Sequence, residues 1–155
     1  MNDIERLLTS IKIWKSGTEQ AMHKPLLLLY ALGRCKRGGS RLIPYKTVDR
    51  DLSILLQRFT NVRPRTYYPF WRLRNDGIWE VEKAELIRTT GQGDASKPDL
   101  ERYNVGGGFT ASIYSVLIND HSLIDSVADK LLHKFFPLNI HQEILRTVGL
   151  VGIPK

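Results

Sequence analysis

One apolar run decides the fold: His23-Lys24-Pro25-Leu26-Leu27-Leu28-Leu29-Tyr30-Ala31-Leu32-Gly33. Proline is favoured in the first turn of a helix, where its missing N–H would be unpaired in any case. A helix that is apolar on all sides belongs in the interior of a domain. The sequence therefore predicts a central buried helix around which the rest of the chain packs.

Helical periodicity marks the segments on either side of this run. Apolar residues recur at helical spacing in 3–15, 46–60 and 121–135, which predicts helices there, and 109–118 and 139–148 are predicted to be helices as well. Asn139 is a plausible cap for the last of them. Gly and Pro cluster at 37–44, 91–98 and 104–108, which indicates loops.

Residues 68–82 predict a β-hairpin, because alternating apolar residues surround Asn75-Asp76-Gly77. A three-residue loop would place the pairs of apolar residues on one face of the hairpin and the pairs that contain arginine on the other. That register pairs Leu73 with Trp79, Trp71 with Val81, Arg72 with Glu80 and Arg74 with Ile78. The order of elements predicts an α+β fold: a mainly helical single domain over residues 1–155, with a small β-hairpin or sheet, loosely like a winged helix.

The totals narrow the class of protein. A length of 155 residues fits one domain, and 42% hydrophobic residues suffice for a core. The single Cys35 excludes an internal disulfide and zinc sites of the paired-cysteine type. The N-terminus has no secretory signal, and the longest apolar stretch, 25–32, is too short to span a bilayer. A cytoplasmic location is therefore expected.

The charge is unevenly distributed. Residues 20–75 contain twelve basic side chains, nine of them Arg, against only Asp49 and Asp51, whereas the remainder of the chain has a small excess of acids. The planar fork of Arg binds two phosphate oxygens at once. A polyanion partner is favoured over a merely solvated face.

Little in the sequence indicates catalysis. The four histidines have no zinc-site spacing, and no nucleophile elbow or phosphate loop occurs. Asp76, Glu80 and Glu82 suggest the alternative of a metal-dependent nuclease acting alone. However, Asp76 is better explained as a turn residue and Glu80 as the cross-strand partner of Arg72. Asn119-Asp120-His121 is better explained as a helix cap than as part of a His-Asn-His nuclease. We expect no catalytic residue, metal or cofactor.

Three segments are candidates for contact with DNA. The first, 63–72, alternates Arg with aromatic residues and proline, so that phosphate-binding groups lie beside apolar surface. The second consists of His23 and Lys24 at a helix N-terminus, where free backbone N–H groups and the positive end of the helix dipole favour binding of an anion. The third is the glycine-rich 102–108, whose backbone N–H groups could approach a phosphate. The predicted contacts to DNA backbone or bases are Arg63, Arg65, Thr66, Arg74, Arg102, Asn104, Gly107 and Gly108.

Four motifs occur together in one order: 23–33, 68–80, the glycine turn 104–109, and 136–145. With them the chain resembles, over essentially all its length, the sulfur-binding domain of phosphorothioate-dependent type IV restriction endonucleases. The resemblance implies recognition of double-stranded DNA in which sulfur replaces a non-bridging phosphate oxygen. It also implies a His-Asn-His nuclease domain in the same full-length protein, outside this chain.

The same resemblance implies a pocket. Tyr68 and Pro69 would be its apolar walls, with His23 and Lys24 alongside and Arg72 near by. Two positions depart from the family, which has a small residue in some members where this chain has Arg72, and Arg in others where it has Lys24. Alternatives to a modification reader are a winged-helix-like sequence-specific regulator, the lone nuclease, and a basic module for an acidic protein partner.

Overall fold

Helix α2 (His23–Lys36) forms the centre of the domain, as the apolar run predicts. The structure is a computed structural model that describes residues 3–13 and 22–151, and the backbone of 15–16 and 19–20. Every residue from His23 to Gly33 is buried. At Gly33 an added Cβ would lie 1.9 Å from the carbonyl oxygen of Val148, so only glycine lets the last helix cross there.

Helices cover α2 on several sides. They are α1 (Asp3–Thr9), α3 (Tyr45–Phe59), α4 (Tyr67–Arg72), α5 (Lys97–Tyr103), α6 (Ala111–Ile118), α7 (His121–Phe135) and α8 (His141–Val148). Helices α3, α4, α6, α7 and α8 contact α2 directly, and α1 packs on α7. The predicted helices at 46–60 and 121–135 are confirmed, the latter to the residue. No helix among the described residues is long and apolar enough to cross a membrane.

The strands form two small antiparallel sheets. Strands β1 (Lys15–Ser16) and β2 (Glu19–Gln20) pair with each other. Strands β3 (Ile43–Pro44), β4 (Trp79–Val81) and β5 (Gly106–Phe109) form a sheet in the order β3-β5-β4. The α+β, mainly helical fold class is therefore confirmed.

The predicted hairpin at 68–82 is wrong. Residues 67–72 form α4, a 3₁₀ turn follows at Leu73–Asp76, and Gly77 ends it with φ 74°. Strand β4 pairs with β5, so the hairpin pairs of Leu73, Trp71, Arg72 and Arg74 do not form. Pro69 lies in the first turn of α4, where its missing N–H costs nothing. Phe70 and Leu73, three residues apart, are the fully buried positions of a helical face rather than of a strand.

Glycine makes β5 possible. Residues 104–108 were expected to be a loop, but Gly106 to Gly108 are buried in the central strand. A Cβ on Gly107 would lie 2.7 Å from the ring of Phe70, and one on Gly108 would lie 1.9 Å from the carbonyl oxygen of Arg41. The glycines thus allow a ring and a neighbouring backbone to approach the strand closely.

Three element boundaries also differ from prediction. Helix α1 ends at Thr9 rather than 15, because the backbone N–H and C=O of Lys12 are bonded to the Asp76 and Lys24 side chains. Asn139 does not cap α8: it lies within a 3₁₀ turn, and Ile140 precedes the helix. Helix α6 begins at Ala111, after β5.

Candidate nucleic-acid interface

Helix α4 carries Tyr68 and Pro69, and Phe70 of the same helix packs in the core. The Phe70 ring packs edge-on against Tyr45 of α3 at 5.0 Å and against Trp79 of β4 at 6.5 Å. Phe70 is fully buried, Pro69 is buried and Tyr68 is half-buried. The two predicted wall residues therefore stand on a helix anchored to the core, with the Tyr68 ring partly open to solvent.

Thr66, which directly precedes α4, is a structural residue rather than an exposed contact. It is fully buried, and its Oγ1 donates to Asp49 Oδ1 at 2.5 Å. The hydroxyl of Tyr45 lies 2.9 Å from the same Oγ1. The Thr66 hydroxyl is therefore bonded within the core, and the side chain has no exposed surface to offer to DNA.

His23 lies beside Tyr68, as the resemblance implies. The two rings are in an edge arrangement with centroids 6.1 Å apart. His23 Nε2 lies 2.7 Å from the carbonyl oxygen of Arg63, which requires the proton on Nε2. Burial lowers the pKa of His23, the Arg63 carbonyl opposes that shift and the Arg65 charge adds to it. Nδ1 of the neutral ring is buried and has no hydrogen-bond partner within the described part of the chain.

Lys24 is committed to an internal ion pair. Its Nζ donates to Asp76 Oδ2 at 2.7 Å and to the carbonyl oxygen of Lys12 at 3.0 Å. The side chains of Lys24 and Asp76 are 7% and 3% exposed. Lys24 therefore lies next to the predicted pocket but offers it no free ammonium group.

Arg72 is held in a similar way. Its Nε donates to Asp94 Oδ1 at 2.8 Å, and Nη2 donates to the carbonyl oxygen of Gln92 at 2.7 Å. The guanidinium carbon lies 5.5 Å from the centre of the Tyr68 ring. The interpretation of Arg72 as a neighbour of the tyrosine wall is consistent with this geometry, although Asp94 neutralises its charge.

Arg63, Arg65 and Arg74 remain available at the surface. Arg63 and Arg65 are exposed, and no carboxylate among the described residues forms an ion pair with either. Arg74 is half-buried and its guanidinium stacks 3.8 Å from the centre of the Trp71 ring. These three arginines flank Tyr68 in the chain, and none of them forms an ion pair among the described residues.

The glycine-rich segment is partly a buried strand. Arg102 and Asn104 are exposed, but Asn104 Oδ1 accepts the backbone N–H of Lys46 at 2.9 Å and so caps α3. Gly107 and Gly108 are buried inside the sheet and do not form the accessible loop that a phosphate contact would need. Arg102 is the predicted contact of this segment whose exposed side chain forms no hydrogen bond or ion pair among the described residues; it stacks on the exposed Tyr103 ring.

Half of the basic block is neutralised by carboxylates from elsewhere in the chain. The paired cations of residues 20–75 are Lys24, Lys36, Arg41, Arg50, Arg58 and Arg72, bonded to Asp76, Asp125, Glu80, Asp51, Glu143 and Asp94. Five of these six carboxylates lie outside the block, where counting charges along the sequence cannot find them. Asp76 and Asp94, which pair with Lys24 and Arg72, are distant from these cations in sequence, and no local pattern reveals the pairing.

The acids considered for metal chemistry have other partners. Glu80 is paired with Arg41, and Glu82 accepts the backbone N–H of Gly106 at 2.8 Å. Across the described residues no group of three or more His, Cys, Asp or Glu side chains could hold a metal ion. Asp120 caps α7 by accepting the N–H of Leu123, which confirms the cap interpretation.

Comparison with solved structures finds proteins with the same fold. The chain is similar to the sulfur binding domain of ScoMcrA complexed with phosphorothioated DNA, with a TM-score of 0.86 and 25% identity over 97% of each chain. The sulfur binding domain of SprMcrA complexed with phosphorothioated DNA has the same fold, with a TM-score of 0.78 and 24% identity over 96% of this chain and 93% of that one. Comparison with curated proteins gives no match.

A longer structure contains the same fold as one part. The Type IV phosphorothioation-dependent restriction endonuclease ScoMcrA aligns with a TM-score of 0.81 and 26% identity, over 94% of this chain but only 27% of that one. The family model described as "ScoMcrA-like, DNA sulfur-binding domain" matches residues 1–153. Since that match spans nearly the whole sequence, the chain belongs to the ScoMcrA-like DNA sulfur-binding domain family.

Proposed function

We propose that this domain binds double-stranded DNA that carries phosphorothioate linkages and directs a nuclease domain of the same full-length protein to it. One observation carries the proposal: a neutral ring pair, His23 and Tyr68, lies beside Pro69 and close to Arg63 and Arg65, which form no ion pair among the described residues. Family membership supplies the class of ligand, since two similar domains have been solved with phosphorothioated DNA.

The neutral surface of Tyr68, Pro69 and His23 suits sulfur better than oxygen. Sulfur is larger and softer than a phosphate oxygen and holds water less strongly. Moving a charged oxygen from water onto an apolar surface without new hydrogen bonds is costly. The site therefore selects sulfur partly by penalising the oxygen of ordinary DNA.

The arginines supply affinity that does not depend on sulfur. Arg63 and Arg65 are exposed cations beside the proposed pocket, and Arg74 lies on the same stretch of chain. Contacts from arginine to phosphates release counterions, so this part of the affinity falls with salt concentration. Base readout would come from exposed side chains such as Arg65 and Arg102.

A paired titration tests the proposal. The same duplex is prepared with and without one phosphorothioate linkage, and the two dissociation constants are compared at fixed salt. We expect the modified duplex to bind at least tenfold more tightly. Equal dissociation constants for the two duplexes would refute the proposal.

Proline substitutions give a matched pair of variants. Pro69 and Pro98 both stand in the first turn of a helix, but Pro69 is buried beside the proposed pocket and Pro98 is exposed on α5. Pro69→Ala should remove most of the preference for sulfur and leave weak general binding. Pro98→Ala should keep the preference, so loss of preference in both variants would argue against a pocket at Pro69.

The alternative of a nuclease acting alone has its own test. Asp76, Glu80 and Glu82 are each bonded to a basic group or to backbone, which argues against a shared metal site there. We therefore expect this chain to leave modified DNA intact when Mg²⁺ or Mn²⁺ is added. Cleavage by the purified chain would favour the alternative.

A further inference from the structure

Two ion pairs have members close enough to Tyr68 to shift the pKa of its hydroxyl. Arg72 and Asp94 form the first, and Lys24 and Asp76 form the second. Burial raises the pKa of Tyr68, and of the surrounding charges Arg72 lowers it while Asp94 and Asp76 raise it. Both carboxylates thus act at the Tyr68 hydroxyl. They neutralise Arg72 and Lys24, whereas Arg63 and Arg65 form no ion pair among the described residues.

The position of Arg72 is closely defined. Its side chain is 26% exposed and that of Asp94 is 23% exposed. The loop that carries Asp94 closes on itself, since the N–H of Thr90 donates to the carbonyl oxygen of Asp94 at 2.8 Å and the N–H of Gly93 donates to that of Thr90 at 2.9 Å. Arg72 also binds the Gln92 carbonyl of this loop. The guanidinium is therefore directed at the loop by two acceptors rather than at the solvent.

An unpaired arginine at this position would act against selection for sulfur. A guanidinium binds two oxygens of a phosphate through parallel hydrogen bonds, and it does so without any need for sulfur. Near Tyr68 such a group would compensate the very desolvation that an ordinary phosphate oxygen suffers there. Ordinary DNA would then bind well.

We propose that Asp94 is a specificity-determining residue, which keeps Arg72 from binding the phosphate oxygens of unmodified DNA. The inference rests on the proposed function, because it concerns the choice between two forms of the same ligand. It assigns Asp94 a role without any contact to DNA: it acts by occupying Arg72. Selection against the wrong ligand by withholding a favourable contact is a recognised route to specificity.

The test measures both duplexes with Asp94→Asn, which preserves the shape of the side chain and removes its charge. We expect the affinity for unmodified DNA to rise about tenfold, as for one added charge-assisted contact, and the preference for sulfur to fall by a similar factor. The salt dependence of unmodified-DNA binding should steepen by about one phosphate contact. The double variant Arg72→Met/Asp94→Asn should have the same affinity for unmodified DNA and the same preference for sulfur as Arg72→Met, because the guanidinium is gone.

Asp125→Asn is the matched control. It also removes one carboxylate from an ion pair, with Lys36, which lies about 20 Å from His23 along α2. If Asp94→Asn and Asp125→Asn change both affinities alike, net charge explains the effect and the inference fails. If the double variant keeps the raised affinity, a loosened loop explains it and the inference also fails. A wild-type domain without preference would instead overturn the proposed function itself.

Discussion

Asp76 Oδ2 lies 2.7 Å from Lys24 Nζ, and the two side chains are almost completely buried. This pair joins the start of α2 to the end of the 3₁₀ turn after α4, so it holds His23 and Tyr68 in place together. Asp76 also accepts the backbone N–H of Lys12 at 2.9 Å. One carboxylate therefore connects three separate parts of the chain.

Lys24→Met should destabilise the domain by about 3–5 kcal/mol, because it leaves the buried Asp76 carboxylate without its cation. Chemical denaturation gives the free energy of unfolding. Glu143→Gln is the control, since it breaks the exposed Arg58–Glu143 pair and should cost less than about 1 kcal/mol. Equal losses in the two variants would show that burial adds nothing to the Lys24–Asp76 pair.

His23 should make the stability of the domain fall as the medium becomes acidic. Burial lowers the pKa of His23 in the folded state, whereas in the unfolded chain it is about 6.5. The unfolded state therefore binds a proton more readily, and the stability of the folded state is lost as pH falls through about 6.5 towards the lower folded value. Above that range His23 is neutral in both states and contributes no dependence on pH.

His23→Gln tests this directly. A glutamine amide can still donate to the Arg63 carbonyl, but it does not titrate. We expect the difference in free energy of unfolding between wild type and His23→Gln to be constant above pH 7.5 and to decrease between pH 7 and 5. Parallel curves for wild type and His23→Gln would mean that the pKa of His23 is the same in both states.

Gly107→Ala should destabilise the domain by about 1–3 kcal/mol through overpacking. The new Cβ would lie 2.7 Å from the Phe70 ring and 3.2 Å from Trp79 Nε1, so α4 must move away from the sheet. Because α4 carries Tyr68, the preference for sulfur should weaken as well. Gly91→Ala is the control, since a Cβ there meets nothing within 4 Å. Thermal unfolding measures the stability of both variants, and the paired titration measures their preference for sulfur. Equal results for Gly107→Ala and Gly91→Ala would show that the strand tolerates a Cβ at Gly107.

The central helix could be predicted because its apolar run has only one sensible environment. The segment 67–82 could not, because Pro69 fits either the entry to a strand or the first turn of a helix. What decides is Phe70, whose ring packs between α3 and a sheet that the chain completes more than thirty residues later. Helix α5 was missed although Ser96 caps it, with a proline close behind, so that signal was present in the sequence.

The candidate site, like the fold, could be predicted only in part from the sequence. His23, Tyr68 and Pro69 could be named from the sequence because a family resemblance covers them, and the structure brings them together. Charge pairing could not be predicted, since Asp76 and Asp94 are distant in sequence from the cations Lys24 and Arg72 that they neutralise. A sum of charges along the chain therefore overstates the free positive charge near Tyr68.

Replacement of both Arg63 and Arg65 by Ala should separate general affinity from selectivity. Both side chains are exposed and free of ion pairs within the described residues, so the fold should tolerate their loss. Each phosphate contact removed should reduce the slope of log affinity against log salt by about one. We expect a reduction of about two with either duplex, and a similar loss of affinity for both. Arg58→Ala, which removes an arginine already paired with Glu143, should leave the slope unchanged. A selective loss with modified DNA alone would instead place these arginines inside the sulfur pocket.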